Sequence, residues 1–281
     1  LGATEALMCG TTAIVDHHES PTCIDGSLSI IAEACAQVGV RTNLAYGVTD
    51  RHGPEGARKG LAENERFLRA GGRGMVGVHA AFTCGDDTLH AAAGLARDLG
   101  VGVHIHVAEG PDDANAGERL LGLARDDWWL VHCVYLDREL PGTIAHNPRS
   151  NMNNSVGYAA PATRPNRIVL GTDGIGADML EEARLAYVRL RESDVLASPD
   201  TVWGWLHNGY VLFPEARADQ VTWNYDHADS PWHVVFTPGV RALQVEVDGE
   251  VLLRDGLPTR VDLAEVRAKA AEQARRLFAR L

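Results

Sequence analysis

VGVHIHVAEG, residues 101–110, is an apolar run interrupted by histidines at alternate positions. In an extended strand that alternation puts His104 and His106 on one face and Val103, Ile105 and Val107 on the other. The valines and isoleucine need cover, so the strand fits a sheet whose outer face is covered by helices. Six further short apolar runs each carry a His, Asp or Asn near the C-terminal end: TTAIVDHH (11–18), RTNLAYGVTD (41–50), GMVGVHA (74–80), WWLVHC (128–133), GTIAHN (142–147) and RIVLGTD (167–173). Helical patterns separate most of them, among them 27–39, 63–71 and 87–100. Alternating β and α segments predict a parallel sheet with right-handed crossovers. A doubly wound sheet would carry a Gly-rich phosphate turn, and none is present. Polar residues at the ends of seven strands instead suit a (β/α)₈ barrel of the TIM type, whose site is fed by the C-terminal ends of several strands.

Seven runs are one short of eight. The chain opens on LGATEALMCG, which reads as the tail of a helix, so the first barrel strand is expected to be missing from this chain. The wall should then be open between the strands at 11–17 and 167–173. Beyond Asp173 the pattern gives helices at 179–193 and 199–210. Strand-like pieces follow at 220–225, 242–249 and 250–256, with an Asp-Gly hairpin signal. A helix over 262–281 closes the chain. The expected division is a barrel over 1–215, a small β accessory region over 216–260, and a C-terminal helix over 261–281 packing on the barrel.

A net charge of −12, from 38 acidic and 26 basic residues, disfavours nucleic acid and anionic membranes as partners. No apolar run reaches the ~20 residues of a membrane span. The five cysteines are scattered and without C-x-x-C spacing, which predicts free thiols and a cytoplasmic protein. The expected partner is a small-molecule substrate, and a homodimer is compatible with the chain.

His106 is the strand histidine nearer the barrel mouth and can offer a ring nitrogen to a metal. Glu109 falls just past the strand and can lean over the same point. His132 and Asp173 end two further strands. Taken singly, His132 reads first as a hydrogen-bonded structural residue, while Asp173 reads equally as a helix N-cap and Glu109 as a solvated loop residue. Their conjunction at three strand ends points to zinc or another divalent ion, such as iron or manganese, with an open coordination position. One of His17 and His18 can face the interior. Asp50, Arg51 and His52 follow the strand at 41–50. Asn147, Arg149, Ser150 and Asn151 follow the strand at 142–147, and either bond substrate or fold a polar loop. His207, His227 and His233 lie beyond the barrel.

HVAEG (106–110), VHC (131–133), HNPRSNMNN (146–154) and LGTDGIGADM (170–179) together resemble the amidohydrolase superfamily. The likeness is strongest to its aminohydrolase and chlorohydrolase branch, closest to aminohydrolases of the SsnA type. DHHESP (16–21), DGSL (25–28) and ENERFL (63–68) are similar too. The resemblance implies that His106 and Asp173 are metal ligands and that His132 touches the activated water or the metal. It implies Glu109 as the proton shuttle, Asp173 as acceptor of the water proton, and His79 as a substrate contact. The family's first-strand His-x-His has no counterpart before Thr11.

The expected activity is hydrolytic deamination of an amino-substituted, purine- or pterin-like nitrogen heterocycle. Dechlorination or cyclic-amide hydrolysis by the same site is the alternative. A metal-free binding barrel is the reading from another class. A Schiff-base lyase is disfavoured, because none of the seven strands ends in lysine.

Overall fold

The structure, a computed structural model, describes residues 1–226 and 230–280; His227 and Leu281 lie outside the described residues. Its elements are α1 (Gly2–Met8), β1 (Ala13–His18), α2 (Ser27–Val38), β2 (Arg41–Tyr46), α3 (Gly53–Arg69), β3 (Val76–Ala80) and α4 (Asp86–Leu99). There follow β4 (Val103–Val107), α5 (Ala116–Leu120), β5 (Trp129–His132), β6 (Thr143–His146), α6 (Pro148–Asn153), β7 (Arg167–Leu170), α7 (Met179–Ser193) and α8 (Pro199–His207). The remainder is β8 (Gln220–Trp223), α9 (Pro231–Phe236), β9 (Ala242–Val247), β10 (Glu250–Arg254), β11 (Leu257–Pro258) and α10 (Leu263–Phe278). All seven expected barrel strands are present.

β1 pairs with β2, and β3 through β7 pair in chain order, every ladder parallel. Alternation sorts the side chains. Met75, Trp129, Val131, Ala145 and Val169 pack together with Val15 inside the barrel. Val76, Val78, Val103, Ile105, Leu130, Ile144 and Ile168 pack outward with Leu89, Ala93, Ala186 and Trp205 of the helices. His104 and His106 stand opposite Trp129 and Val131 in the register of β4 on β5, so both face inward, His106 nearer the mouth.

Between β2 and β3 only two bridges form, Leu44 with Gly74 and Val48 with Val78. The reason is a buried side chain set into the seam. Asn64 of α3 accepts from the Tyr46 N–H at 2.9 Å and the Gly77 N–H at 3.2 Å, and donates to the Tyr46 carbonyl at 2.9 Å. A Cβ on Gly77 would lie 2.3 Å from the Tyr46 carbonyl oxygen, so only glycine admits this approach. Glu63, one residue earlier, accepts the Gly26 and Leu28 N–H groups at the start of α2. α3 begins ten residues before the expected 63–71, because over that stretch it buries only Ala57 and Gly60, small residues that hide the helical period.

Among the described residues no ladder joins β1 to β7, and the expected opening of the wall lies there. The accessory sheet is antiparallel, in the order β11-β10-β9-β8. Asp248 and Gly249 both have positive φ, 52° and 81°, the turn that Asp-Gly favours between twisted strands. α10 buries none of its residues. Val261, just before it, packs against the accessory-sheet cluster of Val245, Val247 and Leu252. All five cysteines are free, and no helix of the described residues is long and apolar enough to cross a membrane.

Candidate metal centre at the barrel mouth

His106 is fixed by the strand beside it. Its Nδ1 lies 2.5 Å from the His79 carbonyl oxygen, which can only accept, so Nδ1 carries the proton and Nε2 keeps its lone pair. Burial, then the nearby His132, holds His106 down to about 4, so the ring is neutral at physiological pH. His104 is held to about 3, chiefly by burial. Its Nδ1 sits 3.0 Å from that of His17, and the His17 ring lies 4.7 Å from that of His106. Of the two histidines that close β1, His17 is therefore the inward one. His18 turns away to Ser20 at 2.9 Å.

His132 reaches the mouth against the alternation of its own strand. Trp129 and Val131 point inward, so position 132 should face the helices. A left-handed φ of 71° at His132, followed by 54° at Cys133, swings the ring back into the mouth. Such backbone is uncommon for residues other than glycine and costs of order 1–3 kcal/mol each. Ala108 and Asp173 are likewise left-handed, at 49° and 52°. The Ala108 turn, which aims Glu109, is held by the buried Asp113 carboxylate accepting the Ala108 N–H at 2.7 Å. Backbone that folds back at three strand ends is what gathers the polar groups.

One ligand atom each from Glu109, His132 and Asp173 lies within 4.8 Å of the other two. Nε2 of His132 is 3.6 Å from a Glu109 oxygen and 3.8 Å from an Asp173 oxygen. These separations are long for hydrogen bonds. They approach the spacing of roughly 3.3–3.6 Å between donors that share a tetrahedral ion at ~2.0–2.2 Å. The nitrogen and carboxylate donors suit a divalent ion of the zinc type. The grouping differs in one respect from expectation: Glu109, rather than His106, completes the tightest trio, because the Ala108 turn folds the chain over the strand end. His106 stands beside it, its ring 5.4 Å from that of His132 and stacked on it.

Asp173 accepts from the Ser150 hydroxyl at 2.5 Å and from the Gly174 N–H at 2.8 Å. Burial raises its carboxyl, but Ser150, His132 and Gly174 outweigh it and hold the group below its ordinary value. Asp173 is not a helix cap; Asp178 caps α7 through the Leu180 and Glu181 N–H groups. Nδ1 of His132 meets Oδ1 of Asn151 at 2.8 Å. Ser150 and Asn151 are each 1% exposed, so they brace site residues and do not line the pocket. The sequence placed both beside the site without showing this role. α6, which carries them, is tied to the buried Glu182 of α7, whose oxygen lies 2.7 Å from Nε of Arg149.

At the rim, His79 bonds Thr83 through Nδ1 at 3.0 Å and is half-buried. Arg51 and His52 pair with Glu19. Asp50 is occupied by the Gly85 N–H and the Thr88 hydroxyl, which makes it part of the scaffold. His207 bonds the Trp203 carbonyl of its own helix. His233 lies in α9, outside the barrel strands.

Residues 1–201 match the amidohydrolase family. The 5'-deoxyadenosine deaminase of Methanopyrus kandleri is 33% identical over 66% of this chain, and the match spans 49% of that protein. The 5-methylthioadenosine/S-adenosylhomocysteine deaminase of Desulfitobacterium hafniense is 30% identical over 98% of the chain and 74% of the relative. Among solved structures, a zinc-bound adenosine deaminase from Xanthomonas campestris superposes with a TM-score of 0.83 at 19% identity, covering 99% of this chain and 74% of that one. An amidohydrolase from a Sargasso Sea sample gives 0.77 at 20% identity, covering 99% and 77%. The likeness to both structures is one of fold.

Proposed function

This chain belongs to the amidohydrolase family, a family of metal-dependent enzymes, and we propose that it hydrolyses the exocyclic amine of an adenine-type nucleoside. The observation that carries the reading is the convergence of Glu109, His132 and Asp173 on one point, with the neutral His106 beside it. His106, His132 and Asp173 would hold the ion, zinc by the donor set, and Glu109 would stand over it. A divalent ion there lowers the pKa of a water toward ~7 and so supplies the nucleophile at neutral pH. Asp173, kept ionised by Ser150 and His132, takes the proton the water gives up. Glu109 delivers a proton to the ring nitrogen beside the attacked carbon, which makes that carbon electrophilic. His132 steadies the oxygen that becomes the product carbonyl. Water adds, the C–N bond breaks, ammonia leaves with the proton that Asp173 received, and the proton remaining on the new hydroxyl returns to Glu109 as the carbonyl forms. His79 contacts the substrate from the rim.

The substrate class follows the deaminase relatives. Metal-loaded protein incubated with 5'-deoxyadenosine, 5-methylthioadenosine and S-adenosylhomocysteine should release ammonia in proportion to the inosine-type product, and a chelator should stop it. Release of chloride from a chlorinated heterocycle, or opening of a cyclic amide, with no ammonia from any amino-substituted ring would keep the family and remove the aminohydrolase reading.

A further inference from the structure

We propose that Asn151 is a positioning residue that selects the tautomer of His132. Its side-chain oxygen accepts the Nδ1 proton, and the Nε2 lone pair is thereby turned toward the space between Glu109 and Asp173. The two side chains meet at 2.8 Å, and both are 1% exposed, so no solvent competes for either. A neutral imidazole carries one proton, and whichever nitrogen is hydrogen-bonded as a donor leaves the other as an acceptor. For His106 a backbone carbonyl makes that choice. For His132 the partner is an amide, which can present an oxygen or, turned over, an NH₂ group.

The surroundings of Nε2 decide which face is used. It stands 3.6 Å and 3.8 Å from two carboxylate oxygens, too far to donate to either and at a spacing that suits a shared cation. A nitrogen that shares a cation must keep its lone pair, so Nδ1 holds the proton and Asn151 must accept. The left-handed backbone at His132 leaves the ring orientation to be held from outside the strand, and Asn151 is the hydrogen bond that does so. Asn151 is seated by the short helix α6, which also places Ser150 on Asp173 at 2.5 Å. One turn of helix thus orients two of the site groups at once. The inference rests on the metal-site reading both for the face that Nε2 presents and for the ion affinity that is measured; the Asn151 contact itself does not depend on it.

The experiment has two readouts, neither of them turnover. With histidine labelled in ¹⁵N, the ring nitrogens of His132 are assigned at mildly alkaline pH, where imidazoles are neutral. The wild-type protein should show protonated Nδ1, with or without metal. Cobalt affinity is then followed by absorbance in wild type, Asn151→Asp and Asn151→Leu. Asn151→Asp keeps an acceptor and should retain the tautomer and bind cobalt within about threefold of wild type. Asn151→Leu removes it and should bind roughly 10–100-fold more weakly, the usual cost of losing a partner behind a ligand. A protonated Nε2 in the wild type overturns the proposal whether or not any variant folds. So does Asn151→Leu binding cobalt as wild type does. If the wild type shows protonated Nδ1 yet binds no metal at all, the hydrolase reading fails and the tautomer assignment stands.

Discussion

At the residue scale, Glu109 separates holding an ion from moving a proton. It belongs to the tightest trio of donor atoms, yet the proposed chemistry uses it as a shuttle. Glu109→Gln should abolish ammonia release, a loss of at least ~10³-fold, while metal content measured by atomic absorption stays near that of wild type. Loss of the ion in that variant would make Glu109 a ligand. Asp173→Asn should lower both quantities, because in the proposed chemistry Asp173 both holds the ion and accepts the water proton. The sequence exposed these residues unevenly. His106 was legible because strand alternation fixes its direction; Glu109 was legible by its place just past the strand, while the left-handed turn at Ala108 aims it. His132 was legible by position only, since its own strand would have turned it outward and a left-handed φ reversed it. Which of His17 and His18 faces inward also needed the structure, because no other residue of that strand carries a polar marker of its inner face.

At the element scale, the seam between β2 and β3 depends on Asn64, which replaces ladder hydrogen bonds with side-chain ones. Asn64→Leu leaves the Tyr46 and Gly77 N–H groups buried and unpaired. At ~1–3 kcal/mol for each such group, the variant should lose about 3–5 kcal/mol by denaturant unfolding. A loss below ~1 kcal/mol would mean that water or a shifted backbone fills the seam. The strand order, every barrel strand and the boundaries of α7 could be read from hydrophobic period alone. The first ten residues of α3 could not, because the helix buries only Ala57 and Gly60 there. α10 shows the opposite case: its amphipathic pattern made the helix legible, yet none of its residues is buried, and periodicity does not reveal how much cover a helix finds.

At the scale of the whole molecule, buried neutral histidines set the acid limit of the fold. His104 and His146 are held to about 3 and His106 to about 4, against 6.5 for an ordinary histidine, all mainly by burial. The unfolded chain therefore takes up these three protons first as pH falls. Their contribution is complete above pH ~6.5 and is lost progressively toward pH 3–4. Glu182, raised by burial to about 7 from 4.5, acts in the opposite sense between those values. His17 is likewise held well below its ordinary value, first by burial and then by His106. With four such histidines against one raised carboxyl, the metal-free protein should lose stability steadily as pH falls from 7 to 5, read from denaturant midpoints. A flat profile between pH 7 and 5 would show that the histidines are not buried as described. One divalent ion is proposed to sit where the strand ends converge, and diffraction data collected at the zinc absorption edge from metal-loaded crystals would locate it. One strong anomalous peak is expected at ~2.0–2.2 Å from an Asp173 oxygen and a His106 nitrogen, with His132 Nε2 facing it. A zinc-replete protein with no peak at the barrel mouth, or with its peak elsewhere, would contradict it.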